Sequence, residues 1–71
     1  MPTYNGHKNW NHWNVSLWLS NDETLYRRVR ALKNVYGSKG AALRLLGELP
    51  THTPDGATYS MTAVLAAVRR I

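Results

Sequence analysis

The sequence predicts an all-α fold, a compact single domain of about four short helices. Apolar residues recur at helical spacing in four segments, and none of these segments shows the strict alternation that is typical of a β-strand. The connections between the segments are short, which favours antiparallel packing of neighbouring helices. A chain of 71 residues forms one domain at most, and at this size about 60 % of the surface of the unfolded chain becomes buried.

The first helix is predicted over residues 10–19, which include most of the segment "NWNHWNVSLW", and Asn9 is suited to be its N-cap. At about 100° per residue, three large apolar residues share one face of this helix: Trp10, Trp13 and Leu17. Two further apolar residues lie on the opposite face: Val15 and Leu19. A helix that is apolar around its circumference is usually central in its domain.

The three tryptophans of this segment have two interpretations. They are stacking platforms for bases or anchors at a protein interface, where Trp and Arg are enriched, or they supply core volume in a small chain. We expect Trp13 and Leu17 to be structural core residues. Trp10 and Trp18 are expected nearer to the surface, and Trp18 is a candidate contact residue for a partner.

Asn14 is the polar residue on this apolar face, between Trp10 and Trp18. A buried amide without a hydrogen-bond partner costs about 1–3 kcal/mol. We expect Asn14 to be a structural residue that clamps a loop backbone, either the entry segment "TYNGH" or the turn "TPDG", because most side-chain hydrogen bonds go to backbone or water. The alternative is that Asn14 binds a ligand.

The second helix is predicted to begin at "SNDE", where Ser20 and Glu23 have the spacing of a capping box, and to end at Gly37. Its spacing gives an inward stripe of four residues: Leu25, Val29, Leu32 and Tyr36. The outward side carries arginines. Arg27 and Arg30 project from it, with Glu23 one turn before Arg27.

The third helix is predicted to start at Ser38 or Gly40 and to end before Pro50. Its inward residues are Ala42, Leu45, Leu46 and Leu49. A loop, "THTPDGATYS", follows, and its "TPDG" segment has the residue order of a type I turn. Ser60 is suited to cap the last helix, whose inward residues are Met61, Val64, Leu65 and Val68.

The composition limits the chemistry that this chain can perform. It has no cysteine, which excludes disulfides, thiolate nucleophiles and zinc fingers. His7 and His12 have no carboxylate or thiolate nearby to complete a metal site, and Ser16 lacks an acid to orient a base. We therefore predict no enzyme activity, no cofactor and no metal.

The net charge of +5 suits an acidic partner, either nucleic acid or an acidic protein surface. Arg27, Arg28 and Arg30 are the candidate contact residues, with Trp18 beside them. Three roles are open for these arginines: they form a solvated surface, they contact nucleic-acid phosphates, or they contact acidic residues of a protein. No segment has the length of a membrane span or the apolar region of a signal peptide, so we expect a cytoplasmic protein without membrane association.

One stretch of the sequence carries a family resemblance. "YNGHKNWNHWNVSLWLSNDETLY", residues 4–26, resembles the N-terminal signature of a family of small uncharacterised proteins encoded by phages, prophages and plasmids. The matching positions read Tyr-Asn-Gly, then Asn-Trp, Trp-Asn-Val, Leu-Trp, Asn-Asp-Glu and Leu-Tyr. His12 departs from the threonine that is more common at its position, and the turn "TPDG" is similar to a late turn of these proteins.

The resemblance implies a biological setting and no catalytic residues. Small proteins of phages and mobile elements commonly bind and disable host machinery, and inhibitors of CRISPR systems belong to this class. The resemblance therefore implies a non-enzymatic protein that inhibits or modulates a host protein complex, such as a CRISPR effector or another defence component, in the cytoplasm of the host bacterium. The alternative is a small basic nucleic-acid-binding protein. Either protein could also form a homodimer, since the domain is small.

Overall fold

A computed structural model of the protein describes residues 6–71, and it contains three α-helices: α1 (Trp10–Asn21), α2 (Glu23–Glu48) and α3 (Met61–Arg70). The predicted all-α class is confirmed, since no strand forms among residues 6–71. An isolated β-bridge joins His52 to Thr58 in the connection before α3. The predicted number of about four helices differs slightly from these three elements, because α2 joins the second and third predicted helices across a kink at Gly37.

Two of the predicted N-caps form as the local sequence indicates. The Asn9 side chain accepts a hydrogen bond from the backbone N–H of His12 at 2.9 Å. The Ser60 hydroxyl accepts one from the N–H of Ala63 at 3.2 Å. Each bond satisfies a backbone donor that has no partner inside the helix, so these residues fix where α1 and α3 begin.

The start of α2 differs from the predicted capping box of Ser20 and Glu23. The Ser20 hydroxyl donates to the carbonyl of Ser16 at 2.5 Å, inside α1. Asp22 is the N-cap instead, and its carboxylate accepts from the N–H of Leu25 at 3.0 Å. A negative charge at this end of a helix is also favoured by the helix dipole, so Asp22 separates α1 from α2.

Gly37 explains why two predicted helices form a single element. It has φ 76° and ψ 179°, far from helical values, while the helical hydrogen-bond pattern continues on both sides of it. This region of backbone conformation is essentially restricted to glycine. The glycine therefore interrupts the helix at the predicted residue, and the two helical arms of α2 meet there in a sharp bend.

The ion pair between Arg28 and Glu48 shows how far the bend turns the chain. The two residues are 20 positions apart, and a straight α-helix would separate them by about 30 Å. Because their side chains are in contact, the two arms of α2, residues 23–36 and 38–48, lie side by side.

Gly40 and Gly47 both lie on the second arm of α2, in different surroundings. A Cβ atom added at Gly40 would lie 2.7 Å from the Cβ of Tyr36, whereas one added at Gly47 would meet nothing within 4 Å. Gly40 is therefore required for the close approach of the two arms beside the bend, and Gly47 is not.

This contrast predicts opposite effects for two alanine substitutions. Gly40→Ala should lower the free energy of unfolding by about 1–3 kcal/mol, because the new methyl group overpacks a closed contact. Gly47→Ala should raise it by up to about 1 kcal/mol, since alanine is the better helix former. Urea denaturation of both variants measures the difference. Equal effects of the two substitutions would contradict the tight contact at Gly40.

The inward face of α1 differs from the predicted one. Val15 and Leu19 are fully buried, whereas Trp13 and Leu17 are half-buried and Trp10 is 39 % exposed. Periodicity could not choose between the faces, because both are apolar. Asn14, next to Val15, and Asn11, one turn before it, form hydrogen bonds to the connection before α3. These bonds turn this side of α1 inward.

The remaining core follows the predicted stripes in part. Five predicted inward residues are half-buried and pack against the core: Leu25, Leu46, Leu49, Met61 and Leu65. Tyr36 is 47 % exposed instead of buried, because it immediately precedes the bend. The buried apolar residues from α2, α3 and the connection between them form one cluster with those of α1: Val29, Leu32, Ala41, Ala42, Leu45, Ala57, Tyr59, Ala63, Val64, Ala67 and Val68.

Candidate functional site

Asn14 lies against the turn "TPDG". It is 2 % exposed, its amide nitrogen donates to a carboxylate oxygen of Asp55 at 2.9 Å, and its amide oxygen accepts from the Thr53 hydroxyl at 2.6 Å. The partners are therefore side chains of the turn and not its backbone. A buried amide with both ends bonded is a positioning group for the connection before α3.

Trp18 binds the same carboxylate. Its indole N–H donates to Asp55 at 2.9 Å, so the polar end of this candidate contact residue is occupied within the molecule. One side of Trp18 also borders a small surface depression of about 320 Å³, which Leu17, Asn21 and Asp22 line with it. The main role of Trp18 in this structure is to hold the turn "TPDG" against α1.

Asn11 completes this contact, a role that was not predicted from the sequence. Its side chain accepts from the N–H of Thr58 at 2.6 Å and donates to the carbonyl of the same residue at 2.9 Å. We call Asn11, Asn14 and Trp18 the loop clamp. The clamp holds a turn that is also closed by its own backbone, since the N–H of Gly56 donates to the carbonyl of Thr53 at 2.9 Å.

The loop clamp predicts a pH dependence of stability. Hydrogen bonds from Asn14 and then from Trp18 hold the pKa of Asp55 below its ordinary value. A carboxyl group whose pKa is lower in the folded chain than in the unfolded chain stabilises the fold above the unfolded pKa of about 3.9, and this contribution disappears as the pH falls through the folded pKa.

Asp55→Asn should therefore be less stable than wild type at pH 7, and the difference should shrink as the pH falls below about 4. Urea denaturation of both proteins over a pH series measures it. A difference in unfolding free energy that stays constant from neutral to acidic pH would contradict the assigned role of the ionised carboxylate.

Both N-terminal histidines, His7 and His12, have a lowered pKa. Partial burial, and after it the charges of Arg70 and His12, keep the pKa of His7 below its ordinary value. Partial burial and then Lys8 lower the pKa of His12. Both imidazoles are therefore mainly neutral at pH 7. Within residues 6–71, no group of three or more His, Asp or Glu side chains is arranged to hold a metal ion.

The arginines that the sequence singled out already have partners inside the chain. Arg27 forms an exposed ion pair with Glu23, one turn before it. Arg28 pairs with Glu48 across the two arms of α2, and hydrogen bonding to Arg28 holds the pKa of Glu48 below its ordinary value. Exposed pairs of this kind contribute little to stability, but they reduce the charge that Arg27 and Arg28 offer to a partner.

Arg30 is engaged differently. Its guanidinium donates to the hydroxyl of Tyr26 at 3.3 Å and lies 5.8 Å from the centre of that ring. It has no carboxylate partner in the described chain, so its charge stays available. Arg30 and Lys33 border a depression of about 480 Å³ beside the bend. This depression was not predicted from the sequence.

All four carboxylate side chains of the protein are engaged. Glu23 and Glu48 bind arginines, Asp22 caps α2, and Asp55 binds the loop clamp. Seven of the nine cationic side chains therefore have no carboxylate partner among residues 6–71: Lys8, Arg30, Lys33, Lys39, Arg44, Arg69 and Arg70. The positive charge of the molecule is open to an external partner.

Three exposed apolar residues and one arginine lie near the bend of α2 along the chain, and all of them except Leu43 line one cavity. Val35 is 71 % exposed and Leu43 is 56 % exposed, on either side of the bend, together with Tyr36. The Arg44 guanidinium lies 3.6 Å from the centre of the Tyr36 ring, a cation–π contact. We call Val35, Tyr36, Leu43 and Arg44 the bend surface.

A cavity of about 600 Å³ lies between the two arms of α2 at this surface. Val35, Tyr36 and Arg44 line it, and the floor is completed by Ala31, Leu32, Arg28, Gly47 and Glu48. Exposed apolar patches of this kind mark interaction sites on proteins. The sequence does contain a sign of this exposure. Val35 and Leu43 are large apolar residues that do not belong to the inward stripe predicted for the second or the third helix.

Comparison with known proteins identifies the family of this chain. The profile of DUF7249, a family of unknown function, matches residues 1–71, and the chain therefore belongs to this family. Comparison with curated proteins gave no significant match, and comparison with solved structures gave none either. No helix within residues 6–71 is long and apolar enough to cross a membrane.

Proposed function

We propose that this member of the DUF7249 family is a non-enzymatic binding protein that docks on another protein through the bend surface and modulates it. The observation that carries the proposal is the exposure of Val35, Tyr36 and Leu43 around one bend. Leaving large apolar side chains in water is unfavourable. A partner protein that covers them removes this cost.

The position of the arginines refines the contact residues. Arg44 is held over Tyr36 and has no carboxylate partner within the described chain, so it replaces Arg27 and Arg28 as the main charged contact. Arg is enriched in the centres of protein interfaces because its planar group combines stacking with charge. Trp18, a contact candidate from the sequence, is instead assigned a role in supporting the fold.

The resemblance to proteins of phages and plasmids supplies the setting of the proposal. In that setting the chain acts in the cytoplasm of a host bacterium, and its partner is a component of a host protein complex. A CRISPR effector or another defence component is a partner of this kind. The proposed effect on the partner is inhibition or modulation, as the resemblance implies.

Recovery of partners from host cells tests this proposal. The tagged full chain is expressed in the host, the lysate is treated with nuclease, and bound proteins are identified by mass spectrometry. We expect one host protein, or one complex, at a stoichiometric ratio to the chain. Recovery of no stoichiometric protein after nuclease treatment would overturn the proposal.

A second candidate function is binding of nucleic acid, which is favoured by the seven cations that have no carboxylate partner in the described part of the chain. Phosphate contacts by Lys and Arg release counterions, so the logarithm of the affinity falls with the logarithm of the salt concentration by roughly 0.9 per phosphate on duplex DNA. A gel-shift titration over several salt concentrations measures this slope. The absence of binding at low salt would exclude this function.

A further inference from the structure

The cavity between the arms of α2 combines an apolar floor with one uncompensated charge. Ala31, Leu32 and Val35 supply apolar lining, and Gly47 leaves space because it has no side chain. The two other charged residues of the lining, Arg28 and Glu48, neutralise each other. Arg44 is therefore the charge that an occupant of the cavity meets.

The charge of Arg44 defines what this occupant must carry. Its guanidinium is already oriented by the Tyr36 ring at 3.6 Å, so little freedom is lost when a partner binds. Covering a cation at an interface without an opposite charge is costly. A partner that covers the bend surface is therefore expected to place a carboxylate beside Arg44.

Two other occupants fit this surface less well. In a symmetric dimer the bend surface would face its own copy, which brings Arg44 of each copy toward the other while both chains carry a net charge of +5. A nucleic acid would pair with Arg44 and stack on Tyr36, but the aliphatic side chains of Val35 and Leu43 offer no stacking surface to its bases.

We propose that the bend surface binds an acidic segment of another protein, in which an apolar side chain enters the cavity between the arms of α2 and a carboxylate pairs with Arg44. The inference rests on the proposed function and adds the chemistry of the partner. It corresponds to peptide recognition by an apolar anchor with flanking charges, in which the anchor supplies affinity and the charges supply selectivity.

The test uses the full chain and three defined probes: a peptide of Glu and Leu residues, a matched peptide of Glu and Ser residues, and a poly-dT oligonucleotide. Binding is followed by amide chemical shifts in nuclear magnetic resonance spectra. We expect the Glu–Leu peptide to shift Val35, Tyr36, Leu43 and Gly47 selectively. We expect the Glu–Ser peptide to bind at least about tenfold more weakly, because it lacks the apolar anchor.

Two variants and one control variant locate the contact. Arg44→Gln should weaken binding of the Glu–Leu peptide about tenfold, whereas Arg69→Gln, which removes the same charge from an exposed position of α3, should leave it nearly unchanged. Gly47→Leu should weaken binding of the same peptide, because the new side chain blocks the cavity. The free space at Gly47 allows this variant to fold. Thermal unfolding of each variant establishes that it is folded.

Three results would overturn the inference: no shifts at the bend surface up to millimolar Glu–Leu peptide, equal binding of the two peptides, or tighter binding of the oligonucleotide at this surface. These failures are distinct from failure of the proposed function. If a host protein is recovered after nuclease treatment while the peptide results are negative, the chain binds a protein but not through an acidic segment with an apolar anchor.

Discussion

Replacing Gly37 by alanine is expected to lower the free energy of unfolding by about 1–3 kcal/mol, since φ 76° with ψ 179° is a conformation that a residue with a Cβ atom adopts only under strain. If α2 relieves this strain by straightening, Arg28 and Glu48 separate and the cavity between the arms opens. Urea denaturation measures the stability, and chemical shifts of residues 28–48 measure the change of shape.

Gly47→Ala is the matched control for Gly37→Ala. It makes the same chemical change on the same helix, at a residue where the backbone is not strained and the new methyl group meets nothing within 4 Å. It should be neutral or slightly stabilising. If Gly37→Ala is as stable as Gly47→Ala and gives unchanged shifts around residue 37, the bend does not depend on glycine.

Replacing Asn14 by alanine is expected to lower the free energy of unfolding by about 1–3 kcal/mol, the cost of leaving buried hydrogen-bonding groups without a partner. The Thr53 hydroxyl loses its acceptor, and Asp55 loses one of its two side-chain donors. The turn "TPDG" should then separate from α1. Urea denaturation gives the loss, and faster amide hydrogen exchange in residues 53–58 gives its location.

Asn34→Ala is the control for this second substitution. Asn34 is exposed on the first arm of α2, so its replacement should change stability by no more than about 0.5 kcal/mol. If Asn14→Ala and Asn34→Ala have the same small effect, the buried asparagine does not hold the connection before α3.

The features that depend on neighbouring residues in the sequence could be predicted. Asn9 and Ser60 begin their helices because a side-chain oxygen reaches a backbone N–H only three residues away. The buried positions of Val29, Leu45 and Val64 follow from helical spacing. The interruption at Gly37 was predicted, but the direction in which the chain turns there depends on contacts between the two arms.

The features that depend on distant contacts could not be predicted. The inward face of α1 follows from hydrogen bonds that join Asn11 and Asn14 to residues 39 to 47 positions away. The stacking of Arg44 on Tyr36 requires the bend to bring the two arms together. For the same reason, the sequence alone could not show that Arg28 is neutralised by Glu48, 20 residues later, and that Arg44 keeps its charge available.

The claim that the bend surface binds a protein partner is tested most directly by comparing Leu43→Asp with Thr62→Asp in the recovery of the partner from nuclease-treated host lysate. Both substitutions add one negative charge at an exposed helical residue, so a difference between them reports the position and not the charge. The prediction is that Leu43→Asp loses the partner while Thr62→Asp retains it. Recovery of the partner by Leu43→Asp at the wild-type level would contradict the claim.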